Sequence, residues 1–125
     1  MDRTAAYEET TVMTQDRGRL IVMLYEGAIK FLRQALAACE QGDYEKKGRL
    51  ICRAQDIIFE LNTVLDVEAG GDIAQNLRKL YNFMWRHLGQ ANAAHDTDKI
   101  REVIGLLETL NRGWRAVAGP QGPTG

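Results

Sequence analysis

The stretch LICRAQDIIFELNTVL, residues 50–65, carries two apolar rows at helical spacing. Residues that recur every three or four positions share one face of an α-helix. The first row is Leu50, Ala54, Ile57, Leu61 and Val64, and the second is Ile51, Ile58 and Leu65. Together the rows cover more of the helix than the stripe of about 100° that faces a single core. The stretch therefore predicts a helix with an apolar face wider than one neighbour requires.

Rows with the same spacing predict three further helices on either side of this stretch. They run from Leu20 to Cys39, from Ile73 to Ala91 and from Ile100 to Val117. Because only short breaks separate the four segments, the links leave no room for long crossovers. We therefore expect an all-α fold, an antiparallel up-down-up-down four-helix bundle with an extended N-terminal arm.

The breaks carry recognisable helix ends. Gly42 suits a left-handed turn after the first helix, and Asp43 can cap the second. Glu68-Ala69-Gly70-Gly71-Asp72 is expected to end the second helix, and Ala94-His95-Asp96-Thr97-Asp98 to cap the fourth.

The two ends of the chain differ from the middle. Residues 1–14 are polar and aperiodic apart from Tyr7 and Val12, which predicts a flexible N-terminal arm. Residues 119–125 hold both prolines of the chain and are expected to be disordered. Residues 15–118 then form the four-helix bundle domain.

Composition limits the classes of partner. The chain has 125 residues, is 45% hydrophobic and carries a formal net charge of −1, so we expect one domain and no nucleic-acid partner. The longest apolar run, Leu20 to Tyr25, is too short to span a bilayer, and residues 1–14 lack the pattern of a signal peptide. A cytoplasmic protein without membrane insertion is expected.

Motifs for catalysis or metal binding are weak in this sequence. It contains no serine, and neither His87 nor His95 has an acidic residue three positions before it, as a carboxylate-bridged di-iron site requires. Cys39 and Cys52 lie at different heights along paired helices, so we expect buried free thiols rather than a disulfide. No catalytic residue, metal or cofactor is expected.

The wide apolar faces of the second and third helices allow two explanations. Central helices that each touch two neighbours need a wide face for the core alone. Alternatively, part of the face forms a groove for a partner helix. Helical periodicity leaves both open.

Four segments of the sequence resemble the FliS family of flagellin export chaperones. They are MLYEGAIKFL at residues 23–32, GDYEKKG at 42–48, AQDIIFELN at 54–62, and LDVEAGGDIAQNL at 65–77 followed by Leu80-Tyr81. The resemblance runs in order from about Tyr7 to Trp114. It implies a cytoplasmic, non-enzymatic chaperone that binds the disordered C-terminal segment of flagellin, prevents premature polymerisation and delivers the flagellin to the flagellar type III export gate.

The resemblance and the apolar rows together give a set of candidate groove residues. They are Ile51, Gln55, Ile58 and Leu65 on the second helix, and Ala74, Leu77 and Tyr81 on the third. The resemblance also implies that Tyr7 is an N-terminal lid that covers apolar surface until the client binds. A scaffold that self-associates through the same rows is the competing class, and a homodimer in the absence of client stays open.

Overall fold

The structure is a computed structural model that describes the backbone of residues 3–118 and the side chains of residues 17–117. The described backbone forms helices and short turns, with no strand anywhere in residues 3–118. The helices are α1 (Arg3–Glu40), α2 (Tyr44–Thr63), α3 (Val67–Ala94) and α4 (Thr97–Ala118). The all-α prediction is confirmed.

Each helix packs against two of the other three, so the four helices form a closed ring. Helix α1 packs against α2 and α4, and α3 packs against the same two helices. The links, residues 41–43, 64–66 and 95–96, are so short that each helix must turn back along its predecessor. The up-down-up-down bundle is confirmed, and its α2/α3 face lies opposite its α1/α4 face.

The N-terminal segment differs from the prediction. Helix α1 begins at Arg3, so residues 3–14 continue the helix instead of forming an extended arm. This segment contains neither glycine nor proline, and Ala5, Ala6, Glu8 and Glu9 favour helix. Tyr7 lies in α1, but its side chain is outside the described residues, as is the predicted disordered tail, residues 119–125.

The turn between α1 and α2 forms as its sequence predicts. Gly42 has a φ of 77°, a conformation that costs glycine little. The Asp43 N–H donates to the Ala38 carbonyl at 2.8 Å. The Asp43 carboxylate in turn accepts from the Lys46 N–H at 3.2 Å and caps α2.

The second link lies earlier in the chain than predicted. Helix α2 ends at Thr63, and Asp66 caps α3 by accepting from the Ala69 N–H at 3.0 Å. The Gly70-Gly71 pair therefore lies inside α3, where Gly71 (φ 56°, ψ −132°) kinks the helix. Because Asp66 caps α3 effectively, α3 begins before the two glycines. The glycines therefore bend α3 and do not end α2.

The cysteine prediction is confirmed in part. Cys39 and Cys52 are both free thiols. Cys39 is buried, but Cys52 is exposed, so the expectation of two buried thiols is wrong for Cys52. Cys52 follows Ile51 on α2 and therefore points about 100° away from the buried side of that helix.

Two buried tyrosines connect α1 and α3, the diagonally opposite helices of the bundle. The Tyr25 and Tyr81 hydroxyls, on α1 and α3, form a hydrogen bond of 2.6 Å, and both residues are at most 2% exposed. The Trp114 ring on α4 lies 6.3 Å from the Tyr25 ring, centroid to centroid. Burial raises the pKa of Tyr81, and the neighbouring Tyr25 phenol raises it further. Burial also raises the pKa of Tyr25, although its hydrogen bonds with Tyr81 and Trp114 lower it by less.

The kink gives a test of backbone geometry. We expect Gly71→Ala to lower the free energy of unfolding by about 1–3 kcal/mol, because a Cβ disfavours the backbone conformation of Gly71. Gly105→Ala is the matched control. An added Cβ meets nothing within 4 Å at either position, but Gly105 has ordinary helical geometry. The control should raise stability by about 0.5–1 kcal/mol. Urea denaturation measures both, and equal stabilisation of the two variants would contradict the assigned kink.

The phenol pair gives a pH dependence. An unfolded tyrosine loses its proton near pH 10, whereas both buried phenols keep theirs to higher pH. The pair's contribution is therefore complete below about pH 10, and above it stability falls by up to about 2.7 kcal/mol per pH unit for two phenols. We expect Tyr25→Phe/Tyr81→Phe to show a shallower fall. Urea titrations from pH 8 to 11 measure this, and parallel curves would contradict it.

Candidate functional site

A cleft of about 260 Å³ lies between α2 and α3. Its lining residues are Ile58, Phe59, Asn62, Tyr81, Asn82, Trp85 and Arg86. Ile58 and Tyr81 are buried and lie beneath it, whereas Phe59 is 65% exposed and Trp85 is 46% exposed. Large apolar side chains rarely stay this exposed in a group without a partner to cover them. The cleft therefore offers a solvent-facing apolar surface.

Polar side chains join α2 and α3 along this cleft. The Asn62 amide donates to the Asn82 side-chain carbonyl at 2.9 Å, and Arg78 Nε donates to Asn62 Oδ1 at 3.2 Å. The Gln55 amide donates to the Trp85 backbone carbonyl at 3.0 Å. These hydrogen bonds fix the spacing of α2 and α3 beside the cleft.

A second, smaller cleft of about 150 Å³ adjoins the α2 C-terminus. Its lining residues are Ile21, Leu61, Val64, Leu65, Asp66, Tyr81 and Trp114. Tyr81 borders both clefts, and Val64 beside the second is 55% exposed. The first cleft lies between α2 and α3, whereas the second also involves Ile21 of α1 and Trp114 of α4, and the two share the buried Tyr81 phenol.

The electrostatics of the clefts favour apolar contact. Among residues 17–117, whose side chains are described, Arg86 is the one charged side chain lining the first cleft, and Asp66 the one lining the second. Burial raises the pKa of the Tyr81 hydroxyl, so this phenol stays neutral over the physiological range. The clefts can hold apolar side chains, with a few amide and guanidinium groups to orient them.

The structure brings three candidate groove residues to the clefts. Ile58 and Tyr81 line the first cleft, and Leu65 and Tyr81 line the second. Gln55 is partly exposed and bonds α2 to α3 beside Trp85.

The remaining candidates lie away from the open surface. Ile51 and Ala74 are buried, with 0% and 3% exposure, and Leu77 is partly buried against the core. Periodicity identified the rows correctly but does not separate their buried members from those at the cleft.

Sequence reasoning did not choose the exposed residues of the clefts as groove residues. Trp85 lies in an apolar row of the third helix together with Ala74 and Tyr81, whereas Phe59, Asn62 and Asn82 lie outside the rows. A usable signal existed, because Phe59 follows Gln55 by one helical turn on an otherwise polar row. An aromatic residue in a polar row of a helix indicates apolar surface that the protein's own core does not cover.

The described residues carry neither a cluster of metal ligands nor a helix suited to spanning a membrane. Among them, no group of three or more His, Cys, Asp and Glu side chains is arranged to hold a metal ion. None of the described helices combines the length and apolar character needed to cross a membrane.

Comparison with known proteins gives consistent matches along the chain. The family model described as "Flagellar protein FliS" matches residues 1–121. The flagellar secretion chaperone FliS of Salmonella typhimurium is 41% identical over 111 residues, covering 88% of this chain and 82% of that protein. The chaperone of the same name from Bacillus subtilis is 36% identical over 110 residues, covering 88% and 81%. That of Vibrio cholerae is 37% identical over 113 residues, covering 87% and 83%. This chain therefore belongs to the FliS family of flagellar proteins.

Proposed function

We propose that this chain is a flagellar secretion chaperone that binds the disordered C-terminal segment of flagellin and delivers flagellin to the flagellar type III export gate. The carrying observation is the exposed pair Phe59 and Trp85 beside an apolar cleft. Relatives named flagellar secretion chaperone support the role. The proposed site of action is the cytoplasm, before export.

The clefts suit an amphipathic client. Such a segment can lay apolar side chains from one helical face into a groove, with anchors spaced three or four residues apart. Phe59 and Trp85 would cover the anchors, while Asn62, Asn82 and Arg86 offer hydrogen bonds to the client's polar edge. Covering the apolar face of the client would prevent it from meeting another flagellin, which is how premature polymerisation is avoided.

Release follows from the energetics of ordering a disordered chain. Part of the favourable free energy of apolar contact is offset by the entropy that the client loses on binding. The net affinity is therefore lower than the contact area alone suggests, and this permits transfer at the export gate. The proposed role needs no catalytic group, cofactor or nucleic acid.

The candidate groove residues have distinct proposed roles. Ile58, Leu65 and Tyr81 give the clefts their shape from below. Gln55 and Leu77 hold the spacing of α2 and α3, and Ile51 and Ala74 support them from the core. Ile58→Asp places a charge at a site that is 1% exposed, so it lowers stability as well as binding. Variants at exposed positions separate an effect on client binding from an effect on stability more clearly.

The exposed aromatics give the first test. We expect Phe59→Asp and Trp85→Asp each to weaken binding of a flagellin C-terminal peptide by about tenfold or more, because a charge there opposes apolar contact. The thermal midpoint should change little in Phe59→Asp and fall modestly in Trp85→Asp, because about half of the Trp85 side chain is covered by its neighbours. Titration calorimetry and thermal unfolding by circular dichroism measure the two effects.

A matched control separates client binding from general surface effects. Val117 is 80% exposed and lines neither cleft, so Val117→Asp should leave peptide affinity unchanged. Equal losses in all three variants would contradict the assigned site.

Light scattering with the wild-type chain tests the competing scaffold role. A one-to-one complex supports the chaperone, whereas concentration-dependent homodimers unaffected by peptide support self-association.

The lid role of Tyr7 remains a proposal with its own test. Tyr7 is the sole aromatic residue among the first 14, a composition that suits a contact displaced by the client. Amide hydrogen exchange of residues 2–13 should speed up when the flagellin peptide binds. In Tyr7→Ala that region should exchange rapidly with or without peptide. Unchanged exchange in the wild-type chain would count against the lid.

A further inference from the structure

The α1/α4 face, opposite the cleft between α2 and α3, carries a larger depression with a more highly charged lining. This cleft has a volume of about 560 Å³. Its charged lining residues are Glu26, Lys30, Arg33, Glu108, Arg112 and Arg115. Four cations and two carboxylates leave a local charge of +2, although the whole chain carries −1. The lining of this cleft is therefore positively charged.

Two of the cations are used within the fold. Arg33 pairs with Glu108, and Arg115 pairs with Glu26, so each ion pair joins α1 to α4. Within the described part of the chain, Lys30 and Arg112 have no carboxylate within ion-pair distance. Both side chains are exposed at the cleft and can meet an anionic group there.

Asn111 provides an independent observation in the same cleft. The residue is 4% exposed, lines the cleft, and its side-chain oxygen has no hydrogen-bond partner in the described part of the chain. Buried hydrogen-bond acceptors almost always have a donor, because an unsatisfied acceptor lowers the stability of the folded protein. This oxygen is itself covered, so an N–H donor that arrives with a ligand satisfies it only when the Asn111 side chain turns toward the cleft.

We propose that the α1/α4 cleft binds an extended, acidic polypeptide segment of a partner protein. Its backbone N–H donates to Asn111 Oδ1, and its carboxylates accept from Lys30 and Arg112. A simple anion would satisfy the cations but brings no N–H for the buried acceptor, whereas a polypeptide supplies both groups. This site is separate from the client clefts and does not depend on the proposed function.

The size of the cleft fits such a segment. Its lining on α1 runs from Glu26 to Gln34, which spans about 12 Å at about 1.5 Å per residue. An extended chain advances about 3.3 Å per residue, so three to four residues fill this length. Two acidic side chains that flank one donating N–H are compatible with that span.

The direct test is a titration of the full chain, labelled with ¹⁵N, against acetyl-Asp-Gly-Glu-Gly-Asp-amide. We expect saturable chemical-shift changes confined to residues 26–34 and 108–115. The same peptide with sarcosine for both glycines lacks two N–H donors and should bind about tenfold more weakly. Sodium phosphate should give no saturable change in this range. Equal binding of both peptides, or saturable binding of phosphate, would reduce the cleft to a simple anion site and overturn the proposal.

Variants separate a specific site from general charge attraction. Lys30→Glu should weaken peptide binding by about tenfold or more, because it removes one charge-assisted bond and adds repulsion. Lys79→Glu makes the same charge change at an exposed position of α3 and should leave the affinity unchanged. Equal losses in the two variants would overturn the proposal.

Asn111 offers a readout that a structural residue would not give. We expect Asn111→Leu to raise the thermal midpoint of the free chain, because it replaces an unpaired buried acceptor with an apolar group of similar size. The same variant should lose peptide binding. A lower thermal midpoint, or binding that persists, would show that Asn111 serves the fold and would overturn the proposal.

Discussion

The hydrogen bond between the Tyr25 and Tyr81 hydroxyls is the contact on which the rest of this structure depends. Helices α1 and α3 lie diagonally opposite in the ring, yet these two phenols meet at 2.6 Å in its centre. A buried hydroxyl is costly unless paired, so each phenol fixes the position of the other. Because Tyr81 also borders both apolar clefts, this central bond sets the floor of the candidate site.

The ring arrangement gives the bundle two opposite faces with different chemistry. On the α2/α3 face, amide hydrogen bonds space the helices around exposed aromatic residues such as Phe59 and Trp85. On the α1/α4 face, the ion pairs Arg33–Glu108 and Arg115–Glu26 join the helices beside a positively charged cleft. One end of the bundle is held separately: buried Lys47 donates to the backbone and side-chain oxygens of Asn92, each at 2.7 Å. One small domain can therefore present an apolar and a charged surface independently.

Sequence patterns predicted the helices well because periodicity is a local property. The Asp43 cap and the left-handed Gly42 also follow from local backbone chemistry. The second link was misplaced because two signals competed: the Gly70-Gly71 pair resembles a helix end, but the carboxylate of Asp66 had already started the next helix. The predicted N-terminal arm was likewise based on missing apolar periodicity, although the residues themselves favour helix.

The sequence by itself determined four antiparallel helices, their apolar rows and a family resemblance, because spacing, caps and short links act between neighbours in the chain. Only the tertiary structure decided which apolar residues face solvent. Ile51 and Ile58 belong to the same row as Leu65, yet the first two are buried and Leu65 lies partly exposed at a cleft. Exposure depends on how closely α2 and α3 approach, and side chains distant in sequence fix that distance. For the same reason the unpaired Asn111 oxygen becomes visible only when α1 and α4 are assembled.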